Sequence, residues 1–144
     1  MATEAQIGIG AEFHLEATAG GALTELGEIT GISLPNAQVE EVEATHFGSA
    51  DRRREYISGL IDDGSGTFEM NYVPGSATDA LIRAALADHE ARGYKIVVPD
   101  GAGTWEIEGE CIVTGYERSV PIDDRMTATL TVRFTGASTE AAGA

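Results

Sequence analysis

From Met126 to Phe134 the chain alternates without a break. Met126, Ala128, Leu130, Val132 and Phe134 fall on one side, and Thr127, Thr129, Thr131 and Arg133 on the other. Successive strand side chains point to opposite faces, so this segment demands a β-strand with one buried face. Thr104 to Tyr116 carries the same signature, with Trp105, Ile107, Gly109, Cys111 and Val113 opposite Glu106, Glu108 and Glu110. So does Thr67 to Val73, where Phe68, Met70 and Tyr72 oppose Thr67, Glu69 and Asn71. Tyr94 to Pro99 reads as a shorter strand, closed onto the next by a hairpin turn at Asp100-Gly101-Ala102-Gly103.

One helix interrupts this pattern. Pro74-Gly75 ends the preceding strand, and Ser76 followed by Asp79 resembles a capping box with Asp in place of Glu. Leu81, Ile82, Ala85, Leu86 and His89 share a stripe, and Arg92 with Gly93 suits a helix end, which predicts a helix over about 77–92. Residues 23–34 alternate weakly, as a strand with a bulge near Gly27 or Gly31. Residues 37–45 fit neither period, as expected of a segment that is exposed or covered by different neighbours on its two faces. Residues 46–66 read as an extended polar, glycine-rich loop around a short apolar patch of Tyr56, Ile57, Leu60 and Ile61. Loops of that length in a compact domain are usually functional or disordered. The expected architecture is therefore mainly β (α+β): an antiparallel sandwich or barrel with one flanking helix. Residues 1–6 form an N-terminal arm, 7–136 a single domain, and 137–144 a flexible tail without a core-forming face.

Chemistry is hard to place on this chain. Gly8-Ile9-Gly10 lacks the third glycine and the preceding strand of a dinucleotide fingerprint, and no phosphate loop is present. His14, His46 and His89 are far apart in sequence, and Cys111, the one cysteine, falls on the apolar face of its strand. Asp62-Asp63 and Asp123-Asp124 suit turns, where Asp bonds its own backbone, better than paired acid–base carboxylates or a calcium loop. No catalytic residue, cofactor or metal is expected. No apolar run approaches the roughly 18 residues of a membrane span, and the start, MATEAQIGIGAEF, does not read as a secretory signal.

Charge says more. The 144 residues hold 24 Asp plus Glu against 9 Lys plus Arg, a formal net charge of −15, which opposes any clamp on nucleic acid or anionic membrane. Arg52-Arg53-Arg54 is the cationic cluster of this acidic chain. It suits a solvated loop, or a contact with acidic surface on another copy; a nucleic-acid site is opposed by the 24 carboxylates. Glu106, Glu108 and Glu110 form either a face open to water or an acidic wall facing a channel.

Two segments, ATHFGSADRRREYISGLIDDGSGTFEMNYVPGSATDALI (44–82) and VPDGAGTWEIEGECIVTGYERSVPIDDRMTATLTVRFTG (98–136), carry a family resemblance. Their order of motifs is a Thr-His loop, Arg-Glu-Tyr-Ile-x-Gly-Leu, a strand ending at a proline before the helix, a Pro-Asp-Gly hairpin, a Trp strand, Val-Thr-Gly-Tyr, Pro-x-Asp-Asp and a Thr-rich strand. That order resembles the tail tube (major tail) proteins of long-tailed phages and phage-like gene transfer agents. The chain departs from some relatives in lacking a C-terminal immunoglobulin-like domain, and its Arg52-Arg53-Arg54 is richer in charge than the loop usually is. The resemblance implies a structural, non-enzymatic subunit, six copies per ring, with rings stacked into a hollow tube whose inner strands join into one barrel. It implies a tape-measure protein and double-stranded DNA in the lumen without specific binding, and distal-tail and tail-terminator proteins at the ends. It also implies residence in a virion-like tail after synthesis in a bacterial cytoplasm. On this reading Arg52, Arg53, Arg54, Tyr56, Ile57, Leu60 and Ile61 make subunit or ring contacts. Glu40, Glu41, Glu43 and Glu69, with Glu106, Glu108 and Glu110, are lumen candidates. The alternatives are a terminator or connector that forms one ring and stops, and a small acidic ligand-binding β domain.

Overall fold

The computed structural model describes residues 8–101 and 103–143. Seven strands make one antiparallel sheet: β1 (Glu12–Glu16), β2 (Leu23–Glu25), β3 (Ile29–Ile32), β6 (Ser65–Asn71), β7 (Arg92–Asp100), β8 (Gly103–Ser119) and β9 (Thr127–Ala142). Their order is β2-β1-β7-β8-β9-β6-β3. Three strands separate β1 from β6, yet the rings of Phe13 and Phe68 on these two strands stack at 4.0 Å. The sheet is thus rolled until its two halves face each other, the sandwich-like barrel expected from sequence.

The alternating positions build the inside. Phe68 and Met70, Tyr94 and Ile96, Ile107, Cys111 and Val113, and Ala128 through Phe134 at every second residue are all buried. Each large apolar side chain so buried contributes roughly 1.5–3 kcal/mol. Gly66 marks the tightest approach, because a β-carbon there would lie 2.7 Å from the Phe134 ring. Along β8 the pairing with β9 slips at Thr114, after which the inward position passes from Val113 to Tyr116, opposite Leu130. The helix α1 (Ala77–Asp88) packs on β8 and adds Leu81, Ile82 and Ala85 to the core.

Four expectations change. The helix ends at Asp88 rather than near 92, because His89 turns left-handed (φ 58°). Arg92 instead opens β7, buried, its Nη1 donating to the carbonyls of Glu16 and Ala17 and its Nη2 bonding Asp88. The single strand expected over 23–34 is two, β2 and β3, at opposite edges of the sheet; the bulge falls between Ile29 and Gly31. The loop expected over 46–66 contains a strand, and β6 begins at Ser65. Finally, 137–142 is not a loose tail: Thr139 to Ala142 pair with Glu108 to Trp105, and Trp105 Nε1 donates to Glu140 Oε1 at 3.0 Å. Backbone pairing holds this stretch, so it needs no apolar face. The arm at 1–6, with Ile7, Ala102 and Ala144, lies outside the described residues.

Candidate assembly surfaces

Two strands stand apart from the rolled sheet. Among the described residues, β4 (Gln38–Glu43) and β5 (Tyr56–Asp62) pair only with each other. Val39 faces Ile61, Val42 faces Ile57, and Glu43 faces Tyr56. Between Val39 and Glu41 the register shifts, so that Gly59 and Leu60 both oppose Glu40. No residue of β4 is buried, and in β5 Gly59 alone is even half-covered. Tyr56, Ile57, Leu60 and Ile61 are 53%, 59%, 81% and 67% exposed. A two-stranded ribbon is marginal in water, and exposed apolar surface on this scale is the kind that marks interaction sites in general.

The ribbon is pinned at both ends. At its root the Asn36 amide donates to Asp63 O at 2.9 Å. Towards its tip Ala44 N donates to Glu55 O, Glu55 N to Thr45 Oγ1, and Ser49 Oγ to Glu55 Oε2. The tip itself is one 3₁₀ turn, Ala50–Arg52, in which Asp51 and Arg52 are both left-handed (φ 54° and 58°). Each such residue costs about 1–2 kcal/mol. The side chains of Arg52 and Arg53 have no partner among the described residues, and Arg54 reaches Glu43 only at 4.0 Å. Phe47, which the sequence pattern did not single out, is fully exposed on the same loop. The seven residues expected to make contacts therefore do share one projecting element.

The acidic candidates do not form one wall. Glu40, Glu41 and Glu43 lie along β4 of the ribbon. Glu69 is exposed on the outer face of β6, in a row with Thr129 and Glu117. Glu106, Glu108 and Glu110 share the outer face of β8, where Glu106 is bridged to Lys95 at 3.1 Å. On the same side lie Glu12, His14 and Glu25, brought together by the β1–β2 pairing that sets His14 opposite Glu25.

One ligand atom from each of Glu12, His14 and Glu25 lies within 4.8 Å of the others, spacing that could hold a cation. The hydrogen bond and repulsion between Glu12 and Glu25 raise the Glu25 pKa above 4.5. The Glu-x-His spacing is visible in sequence, but the third member depends on strand register, which is not.

The buried titratable groups serve the core. Burial pushes the Cys111 thiol up to about 12 and the Tyr94 phenol likewise to about 12, so neither ionises near neutrality. Burial opposes ionisation of Asp79 too, but hydrogen bonds from Gly75 N, Tyr116 Oη and Arg83 Nε outweigh it and hold its pKa below 3.8. Ser76 Oγ meanwhile accepts from Asp79 N at 3.2 Å, the expected cap.

Comparison with known proteins agrees with this geometry. The family model described as lambda phage tail tube protein matches residues 14–141. A protein in the tail of an empty gene transfer agent particle, solved with C6 symmetry, superposes with a TM-score of 0.75 at 19% identity, covering 94% of this chain and 98% of that one. A chain of the anti-feeding prophage baseplate gives 0.69 at 14% identity, covering 98% and 97%. The SPP1 tail tube gives 0.67 at 12%, covering 92% and 77%. At these identities the structures establish the fold alone. No curated protein sequence is similar enough to count as a relative.

Proposed function

The chain belongs to the lambda phage tail tube protein family, and from that premise we propose that it is the structural subunit of a phage-type tail tube. Six copies close into a ring, and rings stack into a hollow conduit that carries double-stranded DNA from a capsid to a recipient cell. The observation that carries this is the projecting ribbon: apolar on both faces, exposed along both strands, and tipped with Arg52 and Arg53, whose side chains have no partner among the described residues. Head-to-tail contacts that close on themselves give rings. Arg52, Arg53 and Arg54 then meet carboxylates of a neighbouring copy, setting register more than raw affinity.

The net charge of −15 suits the conduit, since an acidic wall repels phosphate and lets DNA slide. Glu40, Glu41, Glu43, Glu69, Glu106, Glu108 and Glu110 are the residues proposed to supply that wall. A tape-measure protein fills the lumen before DNA does, and distal-tail and terminator proteins close the two ends. The subunit performs no catalysis, and it resides in the particle after synthesis in the bacterial cytoplasm.

Electron microscopy and light scattering over a concentration series, alone and with the other tail proteins, test this reading. Hollow tubes with sixfold end views are expected. Arg53→Glu with Arg54→Glu should shorten or abolish them while leaving the circular dichroism of the monomer unchanged. Single rings that never stack would favour a connector or terminator. A monomer under every condition, tail partners included, would return the chain to the ligand-binding reading.

A further inference from the structure

Three metal-ligating side chains meet on the outer face of the sheet where β1 pairs with β2. Glu12 and His14 lie two residues apart on β1 and so point the same way, and the register sets Glu25 of β2 opposite His14. One ligand atom from each lies within 4.8 Å of the other two. His14 Nε2 and Glu12 Oε1 stand 3.4 Å apart. That is long for a charge-assisted hydrogen bond, which runs about 2.7–2.9 Å. It is close to the edge of about 3.3 Å between two ligand atoms that each sit roughly 2.0–2.1 Å from a tetrahedral zinc. Among the described residues no lysine or arginine pairs with Glu12 or Glu25, and residues 1–7, 102 and 144 carry no basic side chain. Lys95, beside His14 on β7, is held by Glu106 at 3.1 Å instead.

We propose that Glu12, His14 and Glu25 bind one divalent cation of the zinc type, and that this cation clamps β2 onto β1. The donor set selects the ion. An imidazole nitrogen beside carboxylate oxygens suits zinc and its neighbours in the first transition row. Calcium takes about six to eight oxygens, and magnesium keeps much of its own water. Three protein ligands leave the fourth tetrahedral position to water. The clamp falls where the sheet is thinnest: β2 is three residues long, buries none of its side chains, and pairs with β1 over those three residues. A metal ligated from both strands ties such an edge down without an apolar face. All three ligands come from one copy, so the single chain is the species to measure, whatever its assembly.

The full chain, stripped of metal with a chelator and dialysed, is titrated with zinc while its histidine rings are followed by NMR. His46 is the internal control: its Nε2 also lies 3.4 Å from a carboxylate, Glu55 Oε2, but among the described residues no third ligand joins that pair. Zinc should shift the His14 ring at one equivalent, ahead of His46 and His89, and raise the urea midpoint of the chain. Losing a group that merely orients a metal ligand already costs about 10–100-fold in affinity, so losing a ligand, in His14→Asn or Glu25→Gln, should cost at least about tenfold. Both variants should also lose the zinc-dependent rise in midpoint, while Glu55→Gln keeps it. Glu25 is exposed, so Glu25→Gln carries the test even where His14→Asn disturbs folding. Magnesium and calcium should leave the midpoint unchanged.

Other outcomes overturn the proposal in distinguishable ways. Equal shifts at His14 and His46 mean an adventitious ion only, taken by any exposed histidine–carboxylate pair. Zinc binding that survives Glu25→Gln confines the ion to β1 and removes the clamp. Magnesium or calcium raising the midpoint as far as zinc does means screening of an acidic surface, with no site. No shift at His14 in excess zinc leaves the three residues a cross-strand charge cluster. None of these results touches the tube reading, which microscopy of the assembled protein decides.

Discussion

The rolled sheet and the β4–β5 ribbon are both antiparallel β-structure, yet they close their energetics differently. In β6, positions 66, 68 and 70 are buried and those between them exposed; in β5 no position is buried. Phe68 stacks on Phe13 across the barrel, whereas Leu60, of similar apolar character, stands in water. The sheet completes its burial within one copy. The ribbon keeps its backbone pairing and its capped tip but leaves its apolar surface unspent. A strand can therefore be well formed while its apolar surface stays exposed, and on the proposed reading a second copy covers it.

The strongest way to break this contrast is to truncate one side chain of each kind. Phe68→Ala should cost the single chain about 3–5 kcal/mol, the range for removing a fully buried ring. Leu60→Ser with Ile61→Ser should change the single chain by no more than about 0.5 kcal/mol, as expected for exposed positions, while sharply reducing assembled mass. Urea midpoints taken below the assembling concentration, alongside light scattering above it, read both. If the ribbon variant lowers the midpoint as far as Phe68→Ala does, the ribbon belongs to the core of its own chain and the contrast is false.

The same contrast explains what the sequence discloses. Met126–Phe134, the first half of β8 and β6 were legible because one face is buried and the period of two is written in apolar residues. The ribbon was not, because neither face of β4 or β5 is buried and nothing forces alternation; Val39, Glu41 and Glu43 share a face without sharing character. Residues 139–142 failed for a related reason: their partners are the backbone of Glu108 to Trp105, and side-chain pattern does not report backbone pairing. Three residues of β9, Gly136 to Ser138, stand opposite Gly109 alone, which erases the periodicity that would have carried the strand on from Phe134. For the candidate contacts, the grouping of Arg52 to Ile61 was legible as one polar stretch with an apolar patch. The grouping of Glu12, His14 and Glu25 was not, since Glu25 reaches the other two only through the pairing of β2 with β1.

Between these two extremes lies the joint of helix and sheet. Asp79 caps the loop before α1, accepts from Tyr116 on β8 and pairs with Arg83, all from a buried position. Asp79→Ala should cost about 1–3 kcal/mol, because it strips the half-buried Tyr116 hydroxyl and the Gly75 amide of their acceptor. The pH dependence has a definite sign. A folded pKa held below the unfolded value of 3.8 contributes stability above pH 3.8 that is lost as pH falls through the folded value. Urea midpoints between pH 5 and pH 2 should therefore fall more steeply for the natural chain than for Asp79→Asn. Equal slopes would mean that Asp79 is not the group that senses acid.

The smallest expected effect sharpens the contrast at the sheet's own frayed edge. β2 is three residues long and wholly exposed, so it resembles the ribbon more than the sheet it joins. Glu25 on β2 faces His14 and crowds Glu12, and Lys95, the neighbour of His14 on β7, is already engaged by Glu106. The hydrogen bond with Glu12, and then the repulsion between the two carboxyls, raise the Glu25 pKa, so the folded state prefers this carboxyl protonated. Its contribution is fully present below the unfolded pKa and disappears as pH rises through the folded one. Glu25→Gln removes the conflict at neutral pH. It should raise the urea midpoint of the single chain there slightly, since solvent screens charges this exposed, and by nothing measurable at pH 4. A gain that persists unchanged at pH 4 would trace to strand propensity instead. A loss at pH 7 would mean that a bound cation, held by Glu12, His14 and Glu25, had already relieved the repulsion. A chelator would then lower the midpoint of the natural chain but not of the variant.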